Sequence, residues 1–229
     1  MTALFFLRGG LILGAGLLLT ACDEGLEVRF AQPFPAQSAD MDVFPARHRA
    51  VYTAADSTKS LCIGSTAVWR QELQTEMLSR QQLDPAHRQL RADTTYAEKD
   101  GTLHYLKLVG RDSVRDSWLW TDTIFTLTAS EPGILRRFQG RYYLNMPTNE
   151  RGDKWKVQRL EIDGPRLSWQ TFGTDTLRLL TLDPATVRYH RQNGALASFE
   201  LTPASGQQTR RLGRYAGLWH TQADYIRRR

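Results

Sequence analysis

The fold class is decided by residues 154–171, which read KWKVQRLEIDGPRLSWQT. Apolar residues recur up to Ile162, Asp163-Gly164 interrupts the run, and Leu167 and Trp169 then fall on one face of a second alternating stretch. Two alternating runs joined by an Asx-Gly dipeptide are typical of a β-hairpin with a two-residue turn. These residues therefore predict two antiparallel strands with their turn at Asp163-Gly164.

The same signal occurs twice more. Asp100-Gly101 precedes an alternation over His104–Leu108, and Asn193-Gly194 precedes one over Ala195–Leu201. Residues 117–127 also alternate and place Trp118 and Trp120 on one face. We therefore predict an all-β fold of mainly antiparallel strands, arranged as a sandwich or as barrel-like sheets.

Two segments have patterns that also fit helices. Val68–Leu83 has apolar residues at a spacing of four, which suits a helix or every second inward position of a strand, and we favour a strand. Thr202-Pro203 has the residue types of a helix N-cap followed by proline at the first helical position. This predicts a short C-terminal helix over residues 203–214.

The first 21 residues have the pattern of a signal peptide. Met1–Ala21 holds no acid and one base, Arg8, followed by the apolar run Leu11–Leu19. That run would rise only about 14 Å as a helix, against a hydrocarbon core of roughly 30 Å. The pattern therefore predicts an export signal over residues 1–21, with a short membrane anchor as the alternative.

An acidic stretch follows the signal. Residues 23–45 hold three prolines and more acids than bases, with little periodicity. We predict an unpacked tether over residues 22–43, spanning roughly 25–30 Å, and a β-rich domain over residues 44–229. A faint similarity between Arg47–Tyr52 and Arg137–Tyr142 raises the alternative of two related halves, residues 44–130 and 131–229.

Composition excludes several classes of protein. The net charge is +6, with basic residues scattered along the chain, so no nucleic-acid-binding surface is predicted. Of the two cysteines, Cys62 lies in an apolar stretch and is predicted to be a buried small side chain. No two of the five histidines lie within five residues of each other, and no catalytic motif is present, so neither a metal nor a cofactor is predicted.

Two side-chain groups remain as candidates for a site. Asp112, Asp116 and Asp122 could serve a hydrolase, but we favour a solvated turn for them, and His104 is interpreted as an ordinary surface or core histidine. Trp118 and Trp120 could form a stacking platform for a sugar or a peptide, although core packing is the favoured interpretation.

Leu19-Thr20-Ala21-Cys22 resembles the lipobox of bacterial lipoproteins. The resemblance implies that the chain is cleaved before Cys22, which is then diacylated on sulfur and acylated on nitrogen. Two or three acyl chains hold a protein firmly to a membrane, whereas one does so only weakly. The implied partner is therefore the membrane itself.

More of the chain resembles small uncharacterised lipoproteins of Bacteroidota. Its most specific part is the motif Phe-x-Gly-x-Tyr-Tyr-Leu-Asn within Leu135–Asn145. The other segments that carry the resemblance are Phe44-Pro45, Leu83-Asp84, Asp122–Phe125, Trp155–Leu160 and Phe199–Pro203. In such lipoproteins, acids directly after the cysteine, here Asp23 and Glu24, are associated with display on the cell surface. In other Gram-negative bacteria an aspartate there favours inner-membrane retention. The group has no established activity.

These observations predict a lipoprotein anchored in the outer membrane, on its surface or periplasmic face. We expect a non-catalytic binding or structural domain whose partner is an envelope protein or a glycan. A β-barrel for a small apolar ligand and a hydrolase with an acidic site are the alternatives.

Overall fold

The computed structural model describes residues 26–56, 58–83, 92–128, 133–148, 153–215 and 217–228. Within these ranges the chain forms fifteen strands and two α-helices. The strands are β1, Glu27–Phe30; β2, Asp40–Met41; β3, Ala50–Ala54; β4, Lys59–Ile63; β5, Ala67–Ser79; β6, Thr94–Ala97; β7, Leu103–Leu108; β8, Ser113–Thr126; β9, Ile134–Phe138; β10, Arg141–Pro147; β11, Trp155–Asp163; β12, Arg166–Phe172; β13, Val187–Gln192; β14, Ala195–Leu201; and β15, Trp219–Arg227. The helices are α1, Thr176–Leu180, and α2, Gly206–Arg214.

All of these strands belong to one sheet. The hydrogen-bonded order is β13-β14-β1-β11-β12-β15-β3-β4-β5-β8-β7-β6, and β10, β9 and β2 follow one another from β11 as a branch. Among the strands within the described ranges, only β1 and β14 pair in parallel. The prediction of an all-β, mainly antiparallel fold is confirmed, and the path of the sheet is open and not closed on itself.

The core lies on both faces of this sheet. Tyr142 of β10 packs into a cluster that also contains Phe44 and Leu160. Its neighbour Tyr143 packs into a second cluster, together with Phe34. Because successive side chains of a strand point to opposite faces, the two tyrosines show that β10 is covered on both sides.

The three predicted hairpins form, but two differ in their turns. Around Asp100-Gly101 the Glu98 N–H donates to the Thr102 carbonyl at 2.9 Å, which leaves a three-residue loop over residues 99–101 in place of a two-residue turn. Asn193-Gly194 makes the turn between β13 and β14, with φ of 53° and 83°. In the hairpin of β11 and β12, however, Asp163 pairs with Arg166, so the turn is Gly164-Pro165, one residue later than predicted. Proline has no N–H for the ladder, which favours its place in the turn.

The segment predicted as strand or helix is strand β5, as favoured. The C-terminal helix also forms, but it begins at Gly206, three residues later than predicted. Ser205 caps it: its hydroxyl accepts from the Gln208 N–H at 3.2 Å, and the Gln208 side chain accepts from the Ser205 N–H at 3.1 Å. This reciprocal capping box satisfies two amide groups and decides where the helix starts.

The prediction of an unpacked tether over residues 22–43 is wrong from Glu27 onward. Strand β1 pairs with β14 and β11, and Phe30 and Phe34 are fully buried. Burial of the two phenylalanines stabilises this stretch against the core. Asp40 stays at the surface, where its carboxylate pairs with Arg136 at 2.7 Å.

The strands of the two predicted halves occupy separate parts of the sheet. Strands β3 to β8, from residues 44–130, form the contiguous run β3-β4-β5-β8-β7-β6, and among the described strands they pair with those of residues 131–229 through β15 and β3. Strands β1 and β2, which precede both halves, pair with strands of residues 131–229. A duplication of sequence stays a prediction.

Candidate functional site

The candidate site lies at one end of the sheet, on strands β5, β8, β7 and β6, which we call the arm. Strands β5 and β8 pair over their whole lengths, and β7 and β6 continue the sheet from β8. Trp118 pairs with His104, and His104 pairs with Tyr96, so the three side chains share one face, which we call the ring face. Asp116 and Trp120, two residues away along β8, lie on the same face.

Three rings of the ring face form a continuous stack. The imidazole of His104 lies 4.8 Å from the ring of Tyr96, with an interplanar angle of 29°. On its other side it lies 5.0 Å from the ring of Trp118, at 19°. Each ring comes from a different strand, so the stack joins β6, β7 and β8 through side chains as well as through the backbone.

The edge of the same imidazole faces carboxylates. His104 Nδ1 lies 2.8 Å from Asp116 Oδ2 and 3.0 Å from Oδ1, while His104 Nε2 lies 3.6 Å from Glu98 Oε1. His104 is 6% exposed and Asp116 is 4% exposed. A buried carboxylate needs hydrogen-bond partners, and Asp116 finds them in His104 and in the Tyr96 hydroxyl, which donates to it at 3.4 Å.

Tyr96 is held in its neutral form by this environment. Burial, the nearby carboxylates of Asp116 and Glu98 and the hydrogen bond to Asp116 together raise the pKa of Tyr96 to about 12. The phenol therefore keeps its proton and remains a hydrogen-bond donor to Asp116 at any physiological pH.

Trp120 is the accessible aromatic ring of the site. It is 39% exposed, and the guanidinium carbon of Arg70 lies 5.0 Å from its ring centroid. Arg70 also pairs with Asp122, from Nη2 to Oδ2 at 3.1 Å. This contact shows that the indole already accepts a cation within the protein.

The rings line an open groove with a volume of about 990 Å³. Four carboxylate residues also line it: Glu76, Glu98, Asp100 and Asp116. His104 is the basic side chain among the lining residues, so the groove is acidic although the chain as a whole is basic.

The residues predicted as site residues lie in different parts of the chain. Trp118 and Trp120 lie on one face of β8, where the alternation placed them, and Trp118 is the more buried of the two because it stacks on His104. Cys22, Asp23 and Glu24 lie outside the described residues. Cys62 is buried, as predicted; its thiol donates to Gln71 Oε1 at 3.3 Å, and burial raises its pKa.

His104 and Asp116 were missed as parts of one site. The prediction that Asp116 belongs to a solvated turn is wrong, because it is buried within β8. The alternation itself held a signal: His104 shares its face with Leu106, and Asp116 shares its face with Val114, and both apolar neighbours are buried. A polar residue that alternates onto a buried apolar face is expected to have a hydrogen-bond partner there.

The geometry indicates what His104 can do chemically. Both faces of its ring are covered by aromatic rings and both nitrogens face carboxylates, so the imidazole is enclosed and a substrate cannot reach it readily. His104 therefore stiffens the groove, while Trp120, Glu76 and Glu98 remain for contact with a ligand.

The described residues form an open, mainly antiparallel sheet with an aromatic, acidic groove on the strands at one end of it. No protein-family model, curated protein or solved structure matches this chain. In the part of the chain that the structure describes, no helix has the length and hydrophobicity needed to cross a membrane.

Proposed function

We propose that the chain is an outer-membrane lipoprotein, anchored by acyl chains on Cys22, whose folded part binds an envelope protein without catalysis. The observation that carries the binding role is the exposed Trp120 in a groove whose histidine is enclosed. A rigid aromatic wall with accessible carboxylates suits recognition, whereas the enclosure of His104 disfavours the alternative of a hydrolase.

The charge of the groove favours one kind of partner. Its carboxylates attract a polypeptide segment that carries lysine or arginine, and Trp120 offers such a cation a ring that already contacts Arg70. A glycan would also stack on an indole, but it would gain nothing from the excess of negative charge. The barrel-like alternative needs a closed sheet around a cavity, and this sheet is open.

The test measures tryptophan fluorescence of the purified protein during titration with three probes. These are a short lysine-rich peptide, a glutamate-rich peptide of the same length and a neutral hexasaccharide. We expect saturable quenching by the basic peptide alone, weakened by salt because the attraction is electrostatic.

Matched variants locate the binding. Glu76→Gln with Glu98→Gln, which keeps Trp120 as the reporter, should abolish the quenching, whereas Gln192→Ala on the distant strand β13 should leave it unchanged. Saturation by the hexasaccharide alone would overturn the protein partner in favour of a glycan. For the anchor, palmitate labelling of Cys22 in cells is the expected result, and labelling that persists in Cys22→Ser would contradict it.

A further inference from the structure

The arm that carries the groove has a second, different face. Five large apolar side chains on it are solvent-exposed, from 45% for Leu103 to 53% for Tyr105, and we call this surface the apolar face: Leu73, Met77, Leu103, Tyr105 and Leu119. Leu73 lies directly opposite Leu119 in the register of β5 and β8, so the patch is continuous across strands. Exposed apolar patches of this kind mark surfaces that contact a membrane or a partner.

The charges of the apolar face have one sign. Arg115 lies between Met77 on β5 and Lys107 on β7, which places two cations side by side. Over residues 71–79, 103–107 and 113–121, the side chains that alternate onto this face include no acid. The carboxylates of strands β5 and β8, Glu72, Glu76, Asp116 and Asp122, alternate onto the ring face instead.

This combination favours an anionic lipid surface over a second copy of the chain. Apolar side chains, a tyrosine and neighbouring cations are the groups that enter the interfacial layer of a bilayer with acidic head groups. Two copies joined through this face would bring Arg115 and Lys107 toward their own counterparts, with no acid on the face to pair with them.

The start of the fold keeps the sheet near a membrane if the chain is anchored. Strand β1 begins at Glu27, five residues after Cys22, and five extended residues span at most about 18 Å. The predicted tether would have allowed a larger separation. With a link this short, anchoring through Cys22 holds β1 beside the lipid head groups, and the apolar face begins at β5, the sixth strand from β1 along the same sheet.

We propose that the apolar face docks on an anionic bilayer through its five apolar side chains, Lys107 and Arg115. The proposal rests on the proposed lipid anchor for the position of the protein, and on the apolar face itself for the contact. Docking would cover Leu103, Tyr105 and Leu119, which also line the groove, and would leave the side chains of the ring face, on the other side of the same strands, open to a partner.

The test places a nitroxide on either side of β5 in the full-length acylated protein. Thr75→Cys puts the label on the apolar face, and Glu76→Cys, one residue later, puts it on the ring face as the matched control. The buried Cys62 thiol and the acylated Cys22 are not labelled. Collisions with dioxygen, which enters lipid, are compared in phosphatidylcholine vesicles with and without phosphatidylglycerol.

We expect dioxygen accessibility to rise at position 75 in the anionic vesicles and to stay unchanged at position 76. Replacing Lys107 and Arg115 with glutamine should lower the docked-to-undocked ratio about fivefold for each cation. Replacing the exposed Arg188 of β13 and Arg210 of α2 with glutamine removes the same charge and should leave this ratio unchanged. Equal accessibility at both positions, or an equal effect of the two double variants, would overturn the proposal.

The proposed lipid anchor and the proposed docking of the apolar face can be disproved independently. Mass spectrometry of the same sample reports whether Cys22 is acylated. If it is not, the proposed anchor is wrong, and added anionic vesicles still test docking through the two labels. If it is acylated and the labels do not differ, the apolar face does not dock.

Discussion

Asn145 binds both backbone groups of Phe34, although the two residues are 111 positions apart. The Phe34 N–H donates to Asn145 Oδ1 at 2.6 Å, and Asn145 Nδ2 donates to the Phe34 carbonyl at 2.9 Å. The same amide donates to the Ile134 carbonyl at 2.9 Å. The side chain thus takes the place of a neighbouring strand and fixes the first segment of the chain against β10 and β9.

We expect Asn145→Leu to lower the free energy of unfolding by about 2 to 4 kcal/mol. The substitution keeps a similar volume but leaves buried backbone groups without partners, each at a cost of about 1 to 3 kcal/mol. Urea denaturation of the full chain measures the loss. Gln192→Leu on the exposed part of β13 is the control, with an expected change within about 0.5 kcal/mol. A loss below about 1 kcal/mol would show that other partners replace Asn145.

The same contact explains which part of the fold the sequence could predict. Alternation is a local signal, and it correctly indicated the hairpins and β5. The order of residues 26–43 depends on Asn145 and on the burial of Phe30 and Phe34 against distant elements, which a window of acids and prolines does not reveal. The composition of that segment therefore predicted a tether, and long-range packing decided otherwise.

Asp116→Asn should destabilise the arm by about 1 to 3 kcal/mol, because it removes the charged acceptor of the buried His104 Nδ1. Denaturation followed by tryptophan fluorescence is the measurement, since Trp118 stacks on His104. The matched control is Asp122→Asn on the same face, whose side chain is 43% exposed and pairs with Arg70. That surface pair should contribute no more than about 1 kcal/mol. Equal losses in the two variants would mean that the buried pair has no special role.

The site could be predicted only in part, for a physical reason. Trp118 and Trp120 share a face because they are two residues apart on one strand, which the sequence shows directly. The contact of His104 with Asp116 and Trp118 depends on the register between β7 and β8, and that register is set by cross-strand packing. The sequence therefore offers Asp116 only as one of three clustered acids and His104 only as an ordinary histidine, and it does not bring the two together.

Acidification below about pH 6.5 should destabilise the protein through His48. Burial lowers the pKa of His48, and Arg47, Arg137 and Arg227 lower it further; its Nδ1 lies 2.6 Å from the Tyr142 hydroxyl. Because its folded-state pKa is below the unfolded value, the unfolded chain binds more protons as the pH falls. The stabilisation is present above the unfolded pKa and is lost as the pH falls through the folded one.

Urea denaturation at several pH values between 7.5 and 5 checks this, with the wild type compared with His48→Gln. The loss of stability over that range should be smaller in the variant. The exposed His190→Gln serves as the control and should behave like the wild type. If His48→Gln loses as much stability on acidification as the wild type, another group is responsible.

At alkaline pH, Tyr96 should ionise later than an ordinary tyrosine, because burial and two carboxylates raise its pKa to about 12. A raised folded-state pKa gives a stabilisation that is fully present below the unfolded value of about 10 and is lost as the pH rises toward 12. Phenolate absorbance during an alkaline titration measures the ionisation. Tyr96→Phe should remove one phenolate from the end of the titration curve, near pH 12. Tyr189→Phe, on the exposed strand β13, is the control that gives the absorbance change of a single phenolate. If Tyr96→Phe instead removes a phenolate that forms near pH 10, the Tyr96 hydroxyl does not lie against Asp116. The stack of Tyr96, His104 and Trp118 would then have to be open to solvent.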